Sequence, residues 1–234
     1  MKLIKSFIFV FLFLPNFIQA TAPGYDQDIS LAILKKFNKN LSAEFNTEYR
    51  RYFKPNYDYL HFEGYATYTP KPKGLDLGAG YRIVPGFLRT EQRFYLDLSV
   101  KGGTNKFKLT NTTGLEYRAR RDTYDVFFIK DEIKLGYVLK SNKSCYLEPY
   151  IANEVLLEIK SKQAPQNWFF VGLFSKQHDN KFFVNFYYYN QVSFKSFKYP
   201  NTCQHSFVLN FTFFIPESKK TKRFEDLSYV HILS

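Results

Sequence analysis

Cys203–Ile215 reads CQHSFVLNFTFFI, and its residues divide by parity: His205, Phe207, Leu209, Phe211, Phe213 and Ile215 fall on one side, Gln204, Ser206, Asn210 and Thr212 on the other. Successive side chains of a strand point to opposite faces, so the stretch predicts a β-strand with one apolar and one polar surface. The pattern recurs upstream. In Lys181–Phe194, Phe182, Val184, Phe186, Tyr188, Val192 and Phe194 oppose Asn185, Gln191 and Ser193. Cys145–Ile159 sets Leu147, Ile151, Val155, Leu157 and Ile159 against Glu148, Glu154 and Glu158. Asp125–Leu139 sets Phe127, Ile129, Ile133, Leu135, Tyr137 and Leu139 against Lys130, Glu132 and Lys134, and Phe107–Arg121 sets Leu109, Leu115 and Tyr117 against Lys108, Glu116, Arg118 and Arg120. Leu41–Phe53 adds Glu44, Glu48 and Arg50 to the polar phase, and Thr90–Val100 adds Arg93 and Asp97. Asp131 breaks the rule by lying on an apolar phase, and Trp168–Lys176 is too apolar throughout to be phased.

With Ile29–Phe37, Tyr57–Thr69 and Leu75–Val84 these make eleven strand candidates, separated by breakers such as Pro70–Gly74, Pro85-Gly86, Gly102-Gly103 and Pro200-Asn201. Each is close to the roughly nine to eleven residues that a tilted membrane strand needs. No segment has helical periodicity, so the expected fold is all-β, an up-and-down antiparallel transmembrane β-barrel of about 10–12 strands. Single-chain bacterial barrels have an even number, so either one boundary is misplaced or Leu227–Leu233 supplies a twelfth strand. A soluble sandwich could use the same alternation with the opposite burial.

Composition agrees with the barrel. Residues 1–20 carry two lysines, then an almost unbroken apolar run, Pro15 and a small residue at Ala20, the pattern of a secretory signal peptide. Residues 21–216 form the expected outer-membrane barrel domain and 217–234 a basic tail or last strand. Mean hydropathy is only −0.35, because alternation averages the two faces of a barrel wall. An aromatic fraction of 20%, with 27 Phe and 19 Tyr, fits rings at both bilayer interfaces. The net charge of +12 is assigned to loops, turns and the tail residues Lys219, Lys220, Lys222 and Arg223, which suit outer-membrane lipid and anionic glycolipid headgroups. An exported chain without a recognition motif is not expected to bind nucleic acid. Cys145 and Cys203 begin strands at opposite ends of the wall and are not expected to be bridged.

The polar phase supplies the expected lumen charge network: Glu44, Glu48, Arg50, Arg93, Asp97, Glu116, Arg118, Arg120, Lys130, Glu132, Lys134, Glu148, Glu154 and Glu158. Both signs are interleaved, so the simplest role is structural, pairing across and plugging a small lumen. Catalytic candidates are weak. His205-Ser206 are adjacent on a strand and point to opposite faces, so the histidine is badly placed as a base for that serine. His61 and Glu63 share a face but read as structural, and Gly78-Ala79-Gly80 precedes no helix, so it is no phosphate loop. No metal or cofactor is expected.

The runs Leu77-Gly78-Ala79-Gly80-Tyr81-Arg82, Glu91-Gln92-Arg93-Phe94-Tyr95-Leu96-Asp97-Leu98, Leu115-Glu116-Tyr117-Arg118-Ala119-Arg120 and Leu147-Glu148-Pro149-Tyr150 resemble the bacterial domain of unknown function 2490 family. The resemblance spans about Ile29 to Ile215 and implies an exported, outer-membrane-barrel-like protein, with no established activity or catalytic residues to carry over. Such barrels usually end on an aromatic residue read by the barrel assembly machinery, here Phe213 or Phe214, yet this chain continues to Ser234. The expected function is therefore that of a non-enzymatic barrel in the outer membrane of a Gram-negative bacterium, serving envelope structure, surface contact or limited small-solute passage. The alternatives are a soluble periplasmic β-sandwich or barrel binding an apolar ligand and, behind it, a barrel lipid hydrolase.

Overall fold

The computed structural model describes residues 25–51, 59–70, 74–85, 90–120, 125–142, 145–159, 166–177, 182–193 and 202–215; residues 1–24, residues 216–234 and the remaining connections lie outside them. The strands are β1 Tyr25–Lys36, β2 Leu41–Arg51, β3 Tyr59–Tyr68, β4 Leu75–Val84, β5 Glu91–Gly103, β6 Phe107–Arg120, β7 Val126–Tyr137, β8 Lys140–Asn142, β9 Cys145–Glu158, β10 Gln166–Gln177, β11 Phe182–Ser193 and β12 Thr202–Ile215. All belong to one sheet, and it is closed. The two-sheet sandwich is not formed.

Consecutive wall strands pair antiparallel as a meander, and β12 returns to β1. That last pairing is parallel, from Tyr25↔His205 to Lys35↔Ile215. Alternating directions around a ring of eleven leave the first and last strands running the same way, so the odd count forces a parallel seam. Eleven wall strands is the number of candidates read from the sequence and falls within the expected 10–12. The wall closes at β12 without Leu227–Leu233, which lie outside the described residues. The three-residue β8 is no separate stave. It prolongs β7 after a one-residue slip of register between Gly136↔Tyr150 and Lys140↔Leu147, a bulge at Val138-Leu139.

Strand bounds shift most at the first strand, which begins at Tyr25 rather than Ile29. Asp26 and Asp28, ahead of the expected first strand Ile29–Phe37, continue the inward phase of Ser30 and Ala32 and are buried. The bounds also separate the two rims. Strands β2, β4, β6, β9 and β11 end at one, ahead of connections 52–58, 85–90, 121–125, 159–165 and 194–201, and β1, β3, β5, β8 and β10 end at the other, ahead of 37–40, 69–74, 104–106, 143–144 and 178–181. The first set has five to eight residues each and the second two to six, and β12 ends at the short-turn rim. Cys145 pairs with Gln177 at that rim and Cys203 with Val192 at the opposite one, so the backbone places the two cysteines a strand length apart.

The interior has two halves. Strands β9–β12 supply rings: Trp168 stacks on Tyr189 with centroids 5.2 Å apart, and Phe170, Phe174, Phe183 and Tyr187 pack around them. This explains why β10 resisted phasing, since its aromatic side chains face both the lumen and the outside. Strands β1–β7 supply most of the charges, and β9 adds the buried Glu148 and Glu154. The Tyr150 ring lies over Gly172, and the Tyr65 ring lies over Gly78 and Gly80, where any Cβ would collide with it. The inward glycines thus accept a ring from the neighbouring strand.

Candidate functional site

The inward phase brings the ionisable residues together inside the wall as interlocking groups. Arg50 Nε lies 2.9 Å from Asp28 Oδ2, its Nη2 donates to Glu48 Oε1 at 3.0 Å, and its guanidinium covers the Tyr59 ring at 5.3 Å. His61 Nε2 lies 3.6 Å from the other Glu48 oxygen. Next along the wall, Arg82 Nε donates to Glu63 Oε2 at 2.5 Å, and both side chains are buried. Arg93 pairs with Glu91 and lies 3.9 Å from Glu116, which Arg118 also engages, while Arg120 Nε donates to Glu91 Oε2 at 2.5 Å. Lys130 Nζ lies 3.4 Å from Asp97 Oδ1, and Tyr65 donates its hydroxyl to Asp97 Oδ2 at 2.7 Å. Near the short-turn rim Lys101 pairs with Asp76, to which Thr69 also donates at 2.6 Å.

The rest of the expected network is placed as follows. Lys134 Nζ sits 4.0 Å above the Tyr150 ring, Tyr146 donates to Glu148, and Glu154 is fully buried against the aromatic half. Glu44 faces inward with a buried oxygen that accepts no hydrogen bond among the described residues. Glu132 stands between Lys130 and Lys134 on β7 without a direct ion pair there, and Glu158 is half-buried at the rim. The tail residues Lys219, Lys220, Lys222 and Arg223 lie outside the described residues. Sequence reading missed Asp28, Asp76, Arg82, Glu91 and Lys101 as members. Parity alone would have found Arg82, in phase with Gly78 and Gly80, and Glu91, in phase with Arg93.

Ser206 faces inward and donates to the Asp26 carbonyl at 3.2 Å, whereas His205 faces outward with its Nδ1 2.5 Å from the Tyr188 hydroxyl. The two therefore share no face. Among the described residues no group of three or more His, Cys, Asp and Glu is placed to hold a metal.

The outer surface is the reverse of a soluble protein's. Its exposed side chains include Ile29, Leu31, Leu98, Leu115, Ile133, Leu135, Ile151 and Val171, with Leu96 62% exposed, while Glu63 is 1% exposed inside. Rings flank this aliphatic band. Toward the long-loop rim Tyr81, Phe94, Tyr117 and Phe127 form a chain across four strands, with centroids 5.0, 6.0 and 4.6 Å apart. Toward the other rim stand Phe107 and Tyr137, 5.0 Å apart, and Phe182 and Phe213, 5.1 Å apart. Phe107 and Tyr117 are ten residues apart on β6, as are Phe127 and Tyr137 on β7. At about 3.4 Å per residue and a tilt of roughly 40°, the girdles are separated by about 25 Å.

No curated protein matches the chain. Residues 29–198 match the family model described as protein of unknown function (DUF2490), and the chain belongs to that family.

Proposed function

We propose that this protein is a non-enzymatic outer-membrane β-barrel of a Gram-negative envelope, with a filled lumen, acting in envelope structure or surface contact. The observation that carries the reading is the exposed aliphatic band between two aromatic girdles about 25 Å apart, matching the hydrocarbon layer that such barrels cross. Burial of ion pairs and rings inside leaves the interior of a small barrel occupied. That weighs against an open pore and against an apolar ligand carried in the lumen. The separation of Ser206 from His205 weighs against lipid hydrolysis at that pair.

Longer connections usually face outward in these barrels and short turns face the periplasm. By that rule β12 ends on the periplasmic side, where the assembly machinery would read Phe213 or Phe214 and the basic tail would meet anionic phospholipid. Lys54, Arg89, Arg121, Lys160, Lys162, Lys195 and Lys198 belong to the longer connections, a set suited to the phosphates of surface glycolipid.

Fractionation combined with conductance tests the proposal. The protein should be recovered only in detergent-extracted outer membrane and migrate faster unboiled than boiled on a denaturing gel. Reconstituted in planar bilayers, it should give no discrete conductance steps. Recovery as a soluble periplasmic protein without a heat shift would end the membrane reading. Reproducible channel steps would replace the filled lumen with a pore.

A further inference from the structure

Three arginines stand side by side inside the long-loop end of the wall. Register sets Arg82 opposite Arg93 and Arg93 opposite Arg118, so they form one row across β4, β5 and β6, each two residues from the strand end at that rim. Arg120 follows Arg118 on the same inward face. Like charges directly opposite one another on a sheet are destabilising, so the row needs negative charge to hold it.

The carboxylates nearby meet most of that need. Glu63 takes Arg82. Glu91 bridges Arg93 and Arg120, and Glu116 bridges Arg93 and Arg118. Three guanidiniums thus share two carboxylates, and among the described residues no third lies within ion-pair distance of them. The next inward carboxylate along that part of the wall, Glu158, is reached from Glu116 through Phe128, two strands away and so about 10 Å off. One positive charge is left over.

The three arginines also keep donors in hand. Each is bonded through Nε, Arg93 and Arg120 to Glu91 and Arg118 to Glu116. Their Nη groups donate to no described residue, Arg93 Nη1 lying 3.9 Å from Glu116. Arg118 is held flat against the Phe128 ring at 4.4 Å. Tyr95, two residues from Arg93 on the same face, is buried with a hydroxyl that has no partner among the described residues. The side chains of Arg93, Arg118 and Arg120 remain 19%, 10% and 32% exposed, increasing toward the rim.

The unused end of a guanidinium presents two N–H groups spaced for two oxygens of one oxyanion. Three such ends are more than the two oxygens of a carboxylate can use, and they suit a tetrahedral group. We infer that the mouth of the barrel at its long-loop rim binds phosphate, free or as the monoester of a soluble molecule, through Arg93, Arg118 and Arg120. A lipid-borne phosphate would approach from outside the wall, whereas these side chains face in. The inference needs the closed barrel alone and does not depend on what surrounds it.

Titration calorimetry of the purified full-length barrel tests the site, with inorganic phosphate as the probe in a buffer free of other oxyanions and near-ultraviolet circular dichroism as the measure of fold. Phosphate should bind saturably at one site per chain, and acetate at least tenfold more weakly. Arg93→Lys keeps the charge but not the fork and should weaken phosphate about tenfold, equivalent to losing one charge-assisted contact, with the dichroism unchanged. Lys101→Ala, at the opposite rim, should leave the affinity as it was. If Arg93→Lys disturbs the fold, Arg120→Gln, at the most exposed of the three, takes its place with the same expectation. The site is overturned by any of five results: no saturable heat with phosphate, equal affinity for acetate, undiminished binding by the folded arginine variant, an equal loss in Lys101→Ala, or binding of phosphatidic acid in mixed micelles but not of inorganic phosphate.

Discussion

At the scale of single residues the lumen is a set of charges that must be matched where they stand. Arg82 and Glu63 are both buried and directly bonded, so Arg82→Ala leaves a carboxylate desolvated and unpaired, at a cost of about 3–5 kcal/mol. Denaturant titration of the detergent-solubilised barrel should show that loss, and Glu63→Leu with Arg82→Met should recover most of it; equal losses in the single and double variants would contradict the pairing. Lys101→Ala should cost less than Arg82→Ala, because Lys101 is more exposed and Thr69 still donates to Asp76. Glu132 makes no direct ion pair among the described residues, so its removal should cost less than removal of Arg82 or Glu63. Gly78→Ala should displace the Tyr65 ring and its bond to Asp97, losing about 1–3 kcal/mol by the same titration. A variant as stable as the parent would show that the ring has room to move.

At the scale of strands, alternation was legible from sequence and closure was not. The parity of β12, β11, β9, β7, β6, β5 and β2 follows from residue type, because a side chain's face is fixed by its position along a strand. What parity cannot supply is a partner: the Arg82–Glu63 bond depends on β3 meeting β4 in one register, and nothing local to either strand encodes it. The expected first strand began only at Ile29 for a related reason, since an inward acid at a strand's start, such as Asp28, looks like a polar lead until the neighbouring Arg50 is known. The seam is the clearest case. Parallel pairs are slightly less stable than antiparallel ones, so the β1–β12 join is expected to be the weakest in the ring. Hydrogen exchange should then reach the amides of Ile29–Leu34 and Leu209–Phe214 before those at the centres of β5 and β6. Slower exchange at the seam would mean that its packing outweighs its hydrogen-bond geometry.

At the scale of the whole molecule, one inversion organises the rest: ion pairs and rings are inside, and an aliphatic belt is outside. The mean hydropathy of −0.35 conceals this, because it adds the two faces together. The separation of the girdles was not visible in composition either; it emerges only when Phe107 is set against Tyr117 and Phe127 against Tyr137 on adjacent strands. The central claim is that the belt faces lipid. It is tested most directly by placing a nitroxide in turn at Phe94, Leu96, Leu98 and Val100 on β5, with Lys106 as the rim control, in barrels reconstituted in bilayers. Oxygen should relax the labels at Leu96 and Leu98 strongly and a water-soluble nickel chelate weakly, with the reverse at Lys106. Equal access of the chelate to Leu96 and Lys106 would contradict the account.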